Sequence, residues 1–472
     1  MKKLIVYFFT FLFLASTLTG CKNNDYGLDP KKPTNIIVWN YYNGNNKKLF
    51  DDKVDAFNMT DGKEKGIVVK SLSFNNVADL YTELDASINK SIGAKEVPDV
   101  VQIYNDYAWK LSTKDMAVDL NKYFNETELN AYVKDFINEG IIDNKLLVLP
   151  IAKSSEVLIL NSVDWNKYAK ENNVDIKTLD TYEGLASVAS DYHAKTGEAL
   201  FGRDAFANYM LVGGQQLGTN YVKVVDGKTE LDIDAKAVRR LWDNYYVPFI
   251  KGDYASKGKY RSDDIKTRDI IGMVGSSTAI SFFPKNVMRD GEATYIIEPI
   301  VAKAPVFANT SGVSISQGAG MSIIKSDEKS EYAASVFLKW FTSIDVNTDF
   351  SLKTGYTPVL VSSNESSNIN KGLEKIKASE SLRSSANIAS TTLMVDKHYK
   401  ETLYPEAANI RKVLEKSMPE KADKDYQTIT KEIANGANKD EVYMKYINDD
   451  NFNEWYKAFC EEMKLALEAS YE

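Results

Sequence analysis

The sequence predicts an α/β protein built on a mostly parallel sheet and long enough for two domains. Three observations predict it. From Ile36 onward, short apolar strands alternate with helical stretches. A chain of 472 residues exceeds the roughly 250–300 residues that one core fills. Besides Cys21 the remaining cysteine is Cys460, so stability must come from packing rather than from an internal disulfide or a cysteine metal cluster.

The chain opens with MKKLIVYFFTFLFLASTLTGC. Lys2 and Lys3, an apolar run from Leu4 to Leu18 and small residues before one cysteine make a processing signal over residues 1–20. Leu18-Thr19-Gly20-Cys21 resembles the lipobox of bacterial lipoproteins, which implies a palmitate-type lipid anchor on Cys21. Stable anchoring needs more than one acyl chain. Residues 21–35, rich in Asn, Lys and Pro, read as a tether. No later segment has the 18 or more apolar residues of a membrane span, so a folded body beginning at Ile36 is expected outside the cytoplasm, lipid-held at the cell membrane.

Ile36 to Trp39 is the first strand, Lys48 to Phe57 has helical spacing, GIVVKSLSF alternates like a strand, NVADLYTELDASINKS reads as a helix and VPDVVQIYN as a buried strand. This βαβαβ order places ligands beyond the carboxyl ends of the strands. Asn40 to Asn43, Ser73 to Asn75 and Tyr104 to Tyr107 should therefore crowd one edge. A polar helical stretch follows, over ETELNAYVKDFINEGIID. A strand then runs into Pro150, bends through Ala152 to Ser155, and resumes from Val157 to Leu160 before a helix at Ser162. That bend is taken as the first passage between domains. Residues 178–250 are largely helical, with a hairpin turning at Asp226-Gly227. IIGMVGSSTAI and GAGMSIIKS are strands, and the latter leads into an amphipathic helix that puts Ala333, Val336, Phe337, Trp340 and Phe341 on one face. The last hundred residues are helical, closing on a helix that buries Trp455, Phe459 and Met463 beside an inert Cys460.

A net charge of −8 argues against nucleic acid, which wants a positive surface. Catalytic signatures are missing: His193 and His398 lie in separate helical stretches, and no His-Glu-x-x-His, Walker loop or Gly-x-Ser-x-Gly occurs. Ser326 to Lys329 has the Ser-x-x-Lys spacing but sits in a charged turn. Neither enzymatic activity nor a cofactor or metal is expected. Twenty-eight tyrosines, 20 phenylalanines and 6 tryptophans supply rings that serve either as core or as platforms for the apolar faces of sugars.

Several segments, spread in order from about 36 to 420, resemble the extracellular solute-binding proteins of family 1, the sugar-type receptors of ABC importers. They are IIVWNYYN...DAFN, PDVVQIYNDYAWKL, LLVLPIAKSSEVLILN, IIGMVGSSTAI and QGAGMSIIKS...TGYTPV. The resemblance implies a two-lobed periplasmic-binding-protein-like fold of type II, each lobe a mostly parallel sheet flanked by helices. Lobe 1 would comprise 36–151 and 316–355, and lobe 2 would comprise 152–315 and 356–472. It implies a monomer that captures a mono- or oligosaccharide between the lobes and presents it to permease subunits. The alternative is glycerol-3-phosphate or a glycerophosphodiester; Arg411, inside a helix, reads as facing solvent and does not match the arginine pattern of those binders.

A sugar site needs aromatic surface and hydrogen-bonding groups, since an unpaired buried hydroxyl costs roughly 1–3 kcal/mol. Tyr41 and Tyr42 end the first strand, and one of them is expected to face the cleft. Asn105 and Asp106 follow the third strand, and Asp106 either accepts sugar hydroxyls or caps the next helix. Ser154, Ser155 and Glu156 lie at the first crossover, as ligand contacts or simply as a polar hinge. Ser276 and Ser277 suit a sugar or a phosphate alike. Gly318 and Gly320 permit close backbone approach. Tyr356, beside Pro358, is the aromatic favoured for a stacking or hydroxyl contact.

Overall fold

The computed structural model describes residues 26–289, 291–399 and 402–469. The expected signal peptide and Cys21 lie outside the described residues. Among the described residues no helix is long and apolar enough to cross a membrane.

Two four-stranded sheets organise the chain. The first contains β1 (Thr34–Asn40), β2 (Ile67–Ser73), β3 (Val100–Ile103) and, later in sequence, a strand at Gly320–Ile323. The second contains β4 (Glu156–Asn161), β5 (Phe201–Arg203), β6 (Gly272–Ser276) and β7 (Pro299–Lys303). The strand Gly320–Ile323 is β8. The strand orders are β8-β3-β1-β2 and β7-β4-β6-β5.

The first sheet forms as its apolar runs dictate. Ile36, Val38 and Trp39 are buried, and so is every residue of β3. β1 pairs in parallel with β2 and β3. The helices Gly44–Met59 and Val77–Ile88 make the connections, as parallel pairing requires. β8 returns antiparallel on β3, so its amino end lies at the same edge as the carboxyl ends of β1 and β3.

The second sheet is mixed rather than mostly parallel: β6 and β5 run parallel, but β4 is antiparallel to both β6 and β7. The cause is the crossover. β4 enters directly from the first lobe, with its amino end at the cleft, whereas β6 reaches the cleft with its carboxyl end, at Ser276 paired with Glu156.

Other differences are local. Part of the expected tether is packed: Tyr26 stacks on Tyr332 at 4.4 Å and meets Tyr123 edge-on, and Leu28 lies against the same core. Two apolar anchors override the polar composition around them. The helical stretch after residue 125 is two short helices, Glu126–Asn130 and Lys134–Glu139. The hairpin turns at Asp226-Gly227 with φ of 51° and 75°, the left-handed pair that a two-residue turn needs.

Three segments cross between the lobes side by side. Lys153 exchanges backbone hydrogen bonds with Thr357, and Ser154 exchanges them with Gln317. Residues 357–361 then remain with the first lobe, where Val133 N donates to Val359 O and Val361 N donates to Ala131 O.

Candidate ligand-binding site

The carboxyl edge of the first sheet, the amino end of β4, the end of β6 and the three crossing segments enclose a cleft of about 520 Å³. Its first wall carries Tyr104, Asn105, Asp106 and Phe136, its floor Lys153, Ser154, Gln317, Gly318 and Tyr356, and its second wall Asn208, Ser276, Tyr399 and Arg411.

The first wall begins in the core. Tyr42 is buried against Phe50 and Phe350. Tyr41 stacks on it at 6.4 Å, and Tyr104 stacks on Tyr41 at 6.3 Å. The Tyr41 hydroxyl donates to that of Tyr104 at 3.1 Å. Burial pushes the phenols of Tyr41 and Tyr42 well above their ordinary value, so both remain neutral donors. Tyr104, 41% exposed, is the ring that reaches the cleft. Tyr41 stands behind it, and Tyr42 is core, so neither lines the cleft.

Asn105 and Asp106 open the helix Asn105–Thr113 and both line the site. Asp106 Oδ1 accepts from Tyr107 N at 2.7 Å. Burial raises the Asp106 carboxyl above its ordinary range, while backbone N–H groups and the positive charge of Arg411 on the opposite wall draw it back.

The crossover residues divide. Ser154 lines the cleft, and its hydroxyl accepts from Ser276 Oγ at 3.1 Å. Ser155 is buried, its carbonyl accepting from Ser277 N at 2.7 Å. Ser277 is also buried and donates through Oγ to Gly355 O. Glu156 points into the second lobe, not into the cleft. Its Oε1 accepts from Arg203 Nη2 at 2.7 Å and from Asn208 Nδ2 at 3.0 Å. A buried carboxylate with those partners is spoken for structurally. Ser155, Glu156 and Ser277 therefore leave the list of cleft-lining residues.

Gly318, Gly320 and Tyr356 line the floor. Gly318 has φ +108°, and a Cβ there would lie 2.8 Å from Ala152 O. Burial raises the Tyr356 phenol too.

Residues that sequence reasoning did not select complete the site. Lys153 donates to Glu139 Oε2 at 2.6 Å, so this cation arrives neutralised. Asn208, on the helix Phe206–Leu217, is fully buried; a lone amide in the apolar run FANYMLV was the available signal. Arg411 is exposed, as its helical position suggested, but the water it faces is that of the cleft. Its Nη2 donates to Asn208 Oδ1 at 2.7 Å. Among the described residues no cluster of three or more His, Cys, Asp or Glu side chains is placed to hold a metal.

The family model of bacterial extracellular solute-binding proteins matches residues 45–376. Among solved structures, the cyclic alpha-maltosyl-1,6-maltose binding protein from Arthrobacter globiformis is similar with a TM-score of 0.65 at 17% identity, over 92% of this chain and 100% of that one. UgpB from Mycobacterium tuberculosis, in complex with glycerophosphocholine, is similar with a TM-score of 0.68 at 14% identity, over 92% and 98%. The galacto-N-biose-/lacto-N-biose I-binding protein of the ABC transporter from Bifidobacterium longum, in complex with lacto-N-biose, gives 0.64 at 15%, over 93% and 98%. At such identities the likeness is one of fold. No curated protein matches the chain in sequence.

Proposed function

The chain belongs to the bacterial extracellular solute-binding proteins, and from that premise we propose that it is the substrate-binding component of an ABC importer, capturing a mono- or oligosaccharide between its lobes. Its work is capture without chemistry. The observation that carries the reading is the make-up of the cleft. The rings of Tyr104, Tyr356 and Tyr399 stand among Asn105, Asp106, Ser154, Asn208 and Arg411, as a ligand with apolar faces and many hydroxyls requires. The charges also balance, Glu139 against Lys153 and Asp106 against Arg411, which suits a neutral solute. A cleft of about 520 Å³ lies within the range of roughly 300–1,000 Å³ of small-molecule sites.

Binding proceeds by closure. A ligand that touches both walls binds the closed arrangement more tightly than the open one, and it shifts the population by that difference. Permease subunits then read the closed surface. The protein acts as a monomer, held to the membrane by lipid on Cys21; loss of palmitate labelling in Cys21→Ala tests the anchor.

Arg411 favours a second reading, a glycerol-3-phosphate or glycerophosphodiester receptor, since a guanidinium pairs readily with phosphate. The M. tuberculosis neighbour holds glycerophosphocholine. A thermal-shift screen of the purified protein separates the two, because a ligand of the native state alone raises the melting temperature. A rise with a neutral saccharide that inorganic phosphate leaves unchanged is expected. A rise only with phosphorylated glycerol installs the second reading.

A further inference from the structure

The second wall is held by a relay that ends in the cleft. Glu156 Oε1 takes Arg203 Nη2 at 2.7 Å and Asn208 Nδ2 at 3.0 Å. A carboxylate only accepts, so the amide of Asn208 has one orientation, with NH₂ toward Glu156 and the carbonyl toward Arg411. That carbonyl receives Arg411 Nη2 at 2.7 Å. One nitrogen of the guanidinium is thus fixed by a neutral acceptor. The first wall presents Asp106, which has one oxygen occupied by the N–H of Tyr107 and lines the same cleft as Arg411.

We propose that Arg411 and Asp106 form a cross-cleft specificity pair, a donor from the second lobe and an acceptor from the first, which selects an uncharged ligand by its adjacent hydroxyls. Glu156 is a positioning residue that acts through Asn208. The inference rests on the carbohydrate reading and names the chemistry that the site selects. A hydroxyl donates and accepts, so hydroxyls on neighbouring carbons donate a hydrogen bond to Asp106 and accept one from Arg411. A carboxylate or phosphate only accepts: it satisfies Arg411 but repels Asp106. An ammonium group does the reverse. Neutral hydroxyls satisfy both walls at once without bringing an anion to Asp106, and only when the lobes are near enough for both contacts, which couples selection to closure.

The test is calorimetry with maltose, maltotriose, lacto-N-biose and glycerol 3-phosphate on wild type, Asp106→Asn, Arg411→Gln, Arg411→Lys and Glu156→Gln. Melting without ligand is recorded for each to confirm folding. Wild type is expected to bind a neutral saccharide in preference to glycerol 3-phosphate. Arg411→Gln and Asp106→Asn should each weaken the saccharide by about tenfold or more, as a hydrogen bond to a charged group becomes one to a neutral amide. Asp106→Asn should also move the saccharide-to-phosphate ratio toward glycerol 3-phosphate, because the repelling charge is gone. Glu156→Gln, which frees Asn208 to turn, should lower saccharide affinity, and Arg411→Lys should restore part of what Arg411→Gln loses.

If a neutral saccharide binds the wild type and both affinity and ratio stay within twofold in Asp106→Asn and Arg411→Gln, the pair is overturned while the carbohydrate reading stands. A wild type that binds none of the three saccharides overturns the carbohydrate reading, and the pair with it. Because Arg411 is exposed, its two variants keep the question answerable even if Glu156→Gln does not fold.

Discussion

The two walls of the cleft are built by different means. The first is a stack of rings on strand ends: Tyr42 in the core, Tyr41 on it, Tyr104 at the surface. Each ring is placed by a backbone position one or two residues past β1 or β3. The second wall hangs on side-chain hydrogen bonds between residues far apart in sequence, from Arg203 and Glu156 through Asn208 to Arg411. A wall set by backbone tolerates loss of its outermost side chain. One set by a buried relay transmits the loss of any member.

The relay gives the largest expected effect. Glu156→Ala leaves Arg203, with a side chain 1% exposed, charged and unpaired in the second lobe, which costs about 3–5 kcal/mol. Urea denaturation measures it. A loss below about 1 kcal/mol means that the second wall does not depend on this carboxylate and that the contrast between the walls fails.

The floor comes next. Gly318→Ala puts a side chain on a backbone at φ +108°, with its Cβ 2.8 Å from Ala152 O; about 1–3 kcal/mol of destabilisation is expected. The strained residue sits where both walls are joined, so ligand affinity should fall with stability. Unchanged affinity in a destabilised variant separates floor from walls.

Tyr104→Ala tests the first wall. With 41% of the residue exposed, its removal should barely change the denaturation midpoint, while saccharide binding weakens by about 0.5–1.5 kcal/mol for the lost aromatic contact. A matching loss of stability indicates that the ring braces Tyr41 rather than meets a ligand.

The same contrast explains what the sequence discloses. The first sheet was legible because apolar runs ending at Asn40 and Tyr104, and an alternating run ending at Ser73, identify strands and their carboxyl ends together. The polar bend at Ala152 to Ser155 was legible between its apolar strands. Parity was not. Ser154 and Ser155 point to opposite sides of an extended segment, and a pair of like residues does not say which faces in. Nor does helical periodicity separate the water of a cleft from bulk water, so Arg411 sat on the correct polar face with the wrong neighbour. The antiparallel pairings of β4 depend on where the chain re-enters a lobe, a long-range fact that local pattern does not carry.

Asp106→Asn gives the smallest change in stability and the sharpest comparison, because this residue stands on the backbone-built wall but answers electrically to the other. Burial raises the folded-state carboxyl above its ordinary value, so the folded chain binds the proton more readily than the unfolded one, whose aspartate titrates near about 3.9. As pH rises from that value through the raised folded value, the unliganded protein therefore loses stability through this group, and above it the loss is complete. Asparagine never ionises, so at neutral pH the unliganded variant should melt slightly higher than wild type, and below about pH 3.9 the two should converge. Ligand binding runs the other way. The ionised carboxylate is the acceptor that a hydroxyl needs, so saccharide affinity of the wild type should fall as pH drops through the same window, and that of the variant should be low and flat. A wild-type profile as flat as the variant's would leave Asp106 a helix-opening residue held by Tyr107 N, and the two walls would then meet the ligand without a shared charge between them.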